Sequence, residues 1–460
     1  MTCALDLGAA RWRHDGVAAH PSTEPPQMLT AAEAAAQLGV KLGTLYAYVS
    51  RGWLKSYRRK VGRQALYRRA DIEALRGVTA PERGRRARGL PDASSWVTVA
   101  QPPTADAAAP GVIVAESAVS SIIEGRLAYR GYPIDELVER ASFEEVCLLL
   151  WNGARPSVEE SESLRSEIGD ARMPPSVAAA LTAVGSQLPP LIRLTVMMPS
   201  LAAFERKTPA RPRIAQARLI VSMLPLALAR APASETDGVV AKTHPGGVAG
   251  SLFAGVVGNC ADWEVAALDR VLIACAEHEL NASTFAARVV ASTGADLYAS
   301  VLAALCSLSG PIHGGACDRI EAMFDQLEPG THLTELLAGY AEKRLLPPGF
   351  GHAIYPAGDP RAVLLKKVAV SLAKHKGKRL LETAFKVEEA VWKRDRLRPN
   401  LDFYLTVCVR MLGFPLRMPA AVFALGRASG WIAHSLEQYA DNRLIRPRMR
   451  YRGMALHHWL

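Results

Sequence analysis

Pro348-Gly-Phe-Gly-His-Ala-Ile-Tyr-Pro-Ala-Gly-Asp-Pro-Arg361 runs from a glycine-rich loop straight into a helix. Gly349 and Gly351 allow the backbone to come close to a neighbour or a ligand. Asp359 is a natural N-cap, and Pro360 suits the first helical position, where its missing N–H is not needed. Arg361 then falls in the first turn, where a cation opposes the helix dipole. A nearby anion would offset that placement, and a carboxylate held by two parallel hydrogen bonds fits a guanidinium best. A solvated surface arginine is the plainer reading. Beyond it, Val363, Leu364, Val368, Val370 and Leu372 carry the pattern on as a helix.

The same alternation of glycine-marked loop and apolar helix extends in both directions. Phe143, Val146, Cys147 and Leu150 follow helical spacing, as do Leu297, Val301, Leu302, Leu305 and Leu308, and Phe403, Val407, Met411 and Leu412. Residues 111–460 therefore read as mainly α, with few strands and no repeat of roughly 20 to 50 residues. No Walker loop, strand-GxGxxG-helix unit or GxSxG elbow occurs, and Gly246-Gly247 with Gly250 carries no signal alone.

Three further segments put polar chemistry at helix ends. In Glu277-His-Glu-Leu-Asn-Ala-Ser-Thr-Phe285, His278 and Asn281 are three apart and would share a helix face toward one polar substrate. A helix-end histidine bonded to backbone is the alternative. In Ser309-Gly-Pro-Ile-His-Gly-Gly-Ala316, His313 precedes a new helix whose positive end disfavours imidazolium, so a neutral, hydrogen-bonding ring is expected. A simple turn would look the same. In Arg398-Pro-Asn-Leu-Asp-Phe-Tyr404, Asp402 lies near a helix start after Asn400, a place carboxylates favour for dipole reasons alone.

The charge is concentrated elsewhere. The 460 residues hold 55 Lys+Arg against 44 Asp+Glu, a net +11. Residues 41–90 contain fourteen of those cations and only three acids, Asp71, Glu73 and Glu82, which leaves the rest balanced at 41 to 41. A small basic module is thus joined to a neutral body. In the module, Thr30-Ala-Ala-Glu33 reads as a capping box opening a helix to about Leu38, stopped by Gly39. A second helix covers roughly 42–50, two short strands flank Val61-Gly62-Arg63 within 56–69, and a last helix spans 72–75. Such a winged helix-turn-helix would place Lys41, Thr44 and Tyr46 at a major groove, and Arg58, Arg59, Lys60 and Arg63 of the wing on phosphates. A solvated basic face is the bland alternative.

The seven cysteines show no zinc-ligand spacing and suit a reducing cytoplasm, and no metal site is expected. The longest apolar run, Leu219–Ala229, is too short to span a membrane and contains a proline.

Two family resemblances follow from these residues. Leu29-Thr-Ala-Ala-Glu-Ala-Ala-Ala-Gln-Leu-Gly-Val40, Thr44-Leu-Tyr46, Gly52-Trp-Leu54 and Tyr67-Arg-Arg-Ala-Asp-Ile72 resemble the MerR/excisionase-type helix-turn-helix. The His278, His313, His352 and Asp402 segments, with Gly125-Arg-Leu-Ala-Tyr-Arg-Gly-Tyr-Pro-Ile-Asp-Glu-Leu137, Ser142-Phe-Glu-Glu-Val146 and Asn442-Arg-Leu-Ile-Arg-Pro-Arg-Met-Arg-Tyr451, jointly resemble citrate synthase. The resemblance implies a tail at 1–27, a helix-turn-helix domain at 28–77 and a linker at 78–109. An all-α large domain at 110–315 and 406–460 would follow, with a small domain at 316–405 that closes over it.

It further implies that acetyl-CoA condenses with oxaloacetate to give citrate and CoA, with no cofactor beyond acetyl-CoA as substrate. Asp402 would be the base, His313 the donor to the enolate oxygen, and His352 the group that polarises the keto oxygen. His278, Arg361 and Arg427 would hold oxaloacetate with Asn281 in support, and Arg446 would reach the partner site of a homodimer. Propionyl-CoA, giving 2-methylcitrate, is the near alternative. A DNA-binding regulator using the body as sensor or dimerisation unit is the more distant one. The sequence departs from the family's usual pattern at Cys317, commonly Asn, at Ala353, often Arg, and over 186–250, where the usual His-Pro-Met-Asp segment is not recognisable.

Overall fold

The computed structural model describes residues 28–38, 40, 42, 45, 57–58, 65–69, 71–73, 116–185, 187–207, 210–229, 246–327 and 332–447. The expected tail, the linker and the side chains of Lys41, Thr44, Tyr46, Arg58, Arg59, Lys60 and Arg63 lie outside them. The chain divides into two units, Met1–Trp96 and Val97–Leu460.

In the first unit, β1 (Met28–Thr30), β2 (Tyr57–Arg58) and β3 (Ala65–Arg68) form an antiparallel sheet in the order β1-β3-β2. The helix Ala31–Leu38 starts where the capping box predicts. Glu33 accepts from the Thr30 backbone N–H at 2.8 Å, and Thr30 Oγ1 accepts from that of Glu33 at 3.3 Å. Ala34, Ala35, Leu45, Tyr67 and Ile72 make its small core. β1 is not visible in the sequence because its pairing partner lies some forty residues away (Leu29 opposite Tyr67).

The second unit opens with a meander, β4 (Ser120–Ile123), β5 (Arg126–Tyr129) and β6 (Tyr132–Pro133), and is otherwise helical. Its axis is the helix Met418–Asp441, which is buried at every residue from Met418 to Ser435. The helix Asp262–Cys275 and the turn after it approach this axis closely. A Cβ on Gly426 would sit 2.7 Å from the Leu272 carbonyl oxygen, and one on Gly430 would sit 2.5 Å from that of Ala276. One continuous apolar core links residues of the expected large and small domains. The expected stripe on Pro360–Lys376 holds for Leu364, Val368 and Leu372, whereas Val363 and Val370 face outward, at 57% and 43% exposure. No described helix is long and apolar enough to cross a membrane, and the described residues hold no cluster fit for a metal ion.

Candidate active site

Helix ends converge on one place. Asp402 lies in the first turn of Leu401–Met411, capped by Asn400 Oδ1, which accepts the Asp402 N–H at 3.1 Å. Arg361 lies in the first turn of Pro360–Lys376, His352 in the loop before it, and His313 in the turn before Gly315–Leu327. His278 comes from the link between Asp262–Cys275 and Ala282–Ser292. Arg427 alone comes from mid-helix, on the buried axis.

The expectation that His278 and Asn281 share a helix face is corrected. Both precede the helix, and Asn281 is its N-cap. Its Oδ1 accepts from Thr284 N at 2.9 Å and from Ser283 Oγ at 2.9 Å. The Asn281 acceptor is thus committed to the fold. Gly349, at φ +85°, makes its close approach to Phe403 and Ile320, where a Cβ would meet them at about 3 Å, so this glycine serves packing and not a ligand.

The anion sought by Arg361 is supplied by the chain itself. Arg361 Nε and Nη2 meet the Asp359 carboxylate at 2.9 and 2.8 Å. Asp359 also accepts the backbone N–H groups of Arg361 at 3.0 Å and of Leu401 at 3.0 Å. Burial works against this carboxylate, yet the Arg361 charge holds it below the usual range.

Arg427 has no such partner. It is 1% exposed, its Nε donates to the Cys275 carbonyl at 2.7 Å, and its face lies 4.6 Å from the Phe423 ring centre. Its Nη1 and Nη2 are buried with no hydrogen-bond partner. Burial, then the like charge of Arg361, push its pKa down, with Glu277 opposing. Two buried donors of a guanidinium, with no partner among the described residues, suit an anion.

Two histidines, His278 and His313, feel the Arg427 charge, and His278 and His352 feel that of Arg361. His278 Nε2 is 3.0 Å from Tyr355 Oη, and the His278 and His352 rings stand edge to face at 5.2 Å. His352 Nδ1 accepts the Ile354 N–H at 3.1 Å, which puts the proton of the neutral ring on Nε2. Its Nε2 stands 3.3 Å from Arg361 Nη2. Burial, then Arg361, push His352 down to about 4. Burial, then Arg427, push His313 down to about 4. His313 is neutral as expected, but burial is the main cause rather than the helix end. Its Nε2 is 3.0 Å from Ser283 Oγ, which also accepts from Trp431 Nε1 at 3.2 Å. His278 lies well below its usual range through burial, Arg361 and Arg427. Burial raises the Asp402 carboxyl, with Arg361 partly opposing.

Tyr355 and Ser283 have roles that sequence reading missed. Tyr355 lies three residues after His352 and packs on both histidine rings, at 5.4 Å from His278 and 4.8 Å from His352. Arg446 is exposed and lines a separate cleft with Arg288, Glu437 and Gln438, and none of the three histidines is part of that cleft.

The depressed histidines predict a pH effect. A folded-state pKa near 4 against 6.5 means that the unfolded chain binds protons first as pH falls, so stability is lost between about pH 6.5 and 4. The His313→Gln/His352→Gln double variant should lose fewer degrees of Tm across that range than the parent protein, by about a few degrees. Equal losses would count against neutral, buried rings.

This arrangement is that of an acid–base enzyme whose buried cations suit an anionic substrate. Residues 108–448 match the family model "Citrate synthase, C-terminal domain", and residues 28–76 match a "Helix-turn-helix domain". The chain belongs to the citrate synthase family. Citrate synthase 2 of Bacillus subtilis is 35% identical over 351 residues, which cover 75% of this chain and 94% of its own. The 2-methylcitrate synthase 1 of Corynebacterium glutamicum is 32% identical over 368 residues, with the same two shares of 75% and 94%. The crystal structure of citrate synthase from Thermotoga maritima superposes with a TM-score of 0.65 at 30% identity, covering 76% of this chain and 96% of that one. The Thermoplasma acidophilum enzyme, solved with carboxymethyl coenzyme A and oxaloacetate, gives a TM-score of 0.65 at 25% identity, covering 76% and 96%.

Proposed function

We propose that the enzyme condenses acetyl-CoA with oxaloacetate to give citrate and CoA. The observation that carries this reading is the pair of unpartnered Arg427 donors beside Arg361, His278 and His352. Together they offer a dicarboxylate two cationic and two neutral donors in a site of low polarity. Asp402 takes a proton from the acetyl methyl group, and His313 donates a hydrogen bond to the enolate oxygen that forms. The enolate carbon attacks the keto carbon of oxaloacetate while His352 gives its Nε2 proton to the keto oxygen. Water then splits the citryl thioester. A carboxylate is a weak base for a carbon acid, so the step depends on fixed donors in a dry site.

In this reading the enzyme uses no metal or prosthetic group, works in the cytoplasm and acts as a homodimer, with Arg446 serving the partner's site. Oxaloacetate-dependent release of free CoA by the purified chain tests the reaction. Its absence would overturn it. Propionyl-CoA run alongside decides between citrate and 2-methylcitrate, since both enzyme types stand among the relatives and one methylene is worth only about 1–3 kcal/mol in a pocket.

A second activity is favoured by the helix-turn-helix match at 28–76 and by the fourteen cations of residues 41–90. We infer that this module contacts DNA, twice over in a dimer. If six or more cations meet phosphates, affinity should fall by about 10³-fold or more between 50 and 200 mM salt. Mobility shifts across that series, showing no binding or no salt dependence, would reject it.

A further inference from the structure

We propose that the Cys317 thiol is a positioning residue that donates a hydrogen bond to the Asp402 carboxylate and keeps it oriented without weakening it as a base. This rests on the role given to Asp402 above.

Cys317 stands in the first turn of Gly315–Leu327, a helix that packs on Leu401–Met411, which carries Asp402. Cys317 is 2% exposed, and its Sγ lies 3.9 Å from Asp402 Oδ1. Among the described residues it is the only hydrogen-bond donor brought to that carboxylate. Other charges reach Asp402 only through space. From the Pro360–Lys376 helix and its cap come Arg361 and Asp359, which are occupied with each other. From the axis comes Arg427, whose Nε is bound to the Cys275 carbonyl. From Gly315–Leu327 comes Arg319, which donates to the Pro311 carbonyl. Cys275, at the end of Asp262–Cys275, feels Asp402 but makes no bond to it. On the Arg379–Asp395 side, Glu388 is taken by Lys366 and Tyr404.

The chemistry explains why a thiol is useful there. A carboxylate given strong donors is stabilised as the anion and loses basicity. A thiol is a weak donor, so it restricts the rotation of the carboxylate while leaving most of its proton affinity. Burial and the Asp402 charge hold the Cys317 thiol well above its usual range, so it remains S–H and can only donate to the anion.

Two variants of the full chain, read in two ways, test this. Cys317→Asn supplies a strong amide donor, so the acid limb of the kcat–pH profile should move down by about half a pH unit. Cys317→Ala supplies none, so the limb should move up, by less than half a unit. Half a unit is about a threefold change at fixed pH on the limb. The KM for oxaloacetate should not move in either variant, whereas a merely structural loss would change it and leave the limb in place. Limbs unmoved in both variants, while Asp402→Asn is inactive, would overturn the proposal and leave the function standing. The second reading needs no turnover. The infrared S–H stretch that disappears in Cys317→Ala should shift to higher frequency in Asp402→Asn, where the anionic acceptor is gone. An S–H band indifferent to Asp402 would refute the contact even if the protein releases no CoA, an outcome that separately defeats the assigned reaction.

Discussion

Asp402→Asn is expected to lower kcat by about 10³-fold, within the 10²–10⁴ that a positioned base contributes, with little change in oxaloacetate affinity. The substitution keeps shape and the Asn400 cap, which uses the backbone N–H of residue 402 and not its side chain. It removes a half-buried carboxylate near Arg427 that makes no ion pair among the described residues, whereas Asp359 is tied to Arg361 and Glu277 is bonded to His434 and Ser120. Burial has already raised the proton affinity of Asp402, so the wild type begins with a base stronger than a carboxylate in water. Steady-state CoA release, with oxaloacetate binding followed by calorimetry, separates the two effects. Retention of more than about a tenth of kcat would assign the base elsewhere.

Arg427→Met should produce opposite effects on stability and on binding. Nη1 and Nη2 of Arg427 are buried within the central helix and have no hydrogen-bond partner among the described residues. An apolar side chain of similar length should raise stability without added substrate by about 1–3 kcal/mol, as replacements of imperfectly paired buried charges often do. The same change removes two charge-assisted donors from the anion site and should weaken oxaloacetate by about 10²- to 10³-fold. Wild type should therefore gain Tm on adding oxaloacetate, by about 2.7 kcal/mol of stability at a hundred times Kd. The variant should start higher and gain almost nothing. A variant that is both less stable and still protected by oxaloacetate would contradict an anion site at Arg427.

Much of the site could be read from the chain because its groups sit where helices begin and end. Asp359-Pro360-Arg361, Asn400-Leu-Asp402 and His313-Gly-Gly are each punctuated by residues with few other uses. Arg427 has no such punctuation. It lies within an apolar helical run, and only the family pattern singled it out. Tyr355 and Ser283 could not be read, because their roles arise from contacts with His278 and His313, residues distant in sequence. The shared helix face read for His278 and Asn281 fails for a related reason. The spacing of the two residues suggests it, but the helix begins only after Asn281, whose oxygen closes the first turn. Strands β1 and β4 to β6 were missed because they are short and their stability comes from pairing rather than from an apolar alternation.

One carboxylate binds the two halves of the chemistry together. Asp359 grips the Arg361 guanidinium and also the first backbone amide of the helix that carries Asp402. Arg361, which would receive one substrate in the proposed reaction, and Asp402, which would deprotonate the other, are therefore fastened to a single pin. Their mutual spacing is inherited from the fold and does not have to be found again at each turnover.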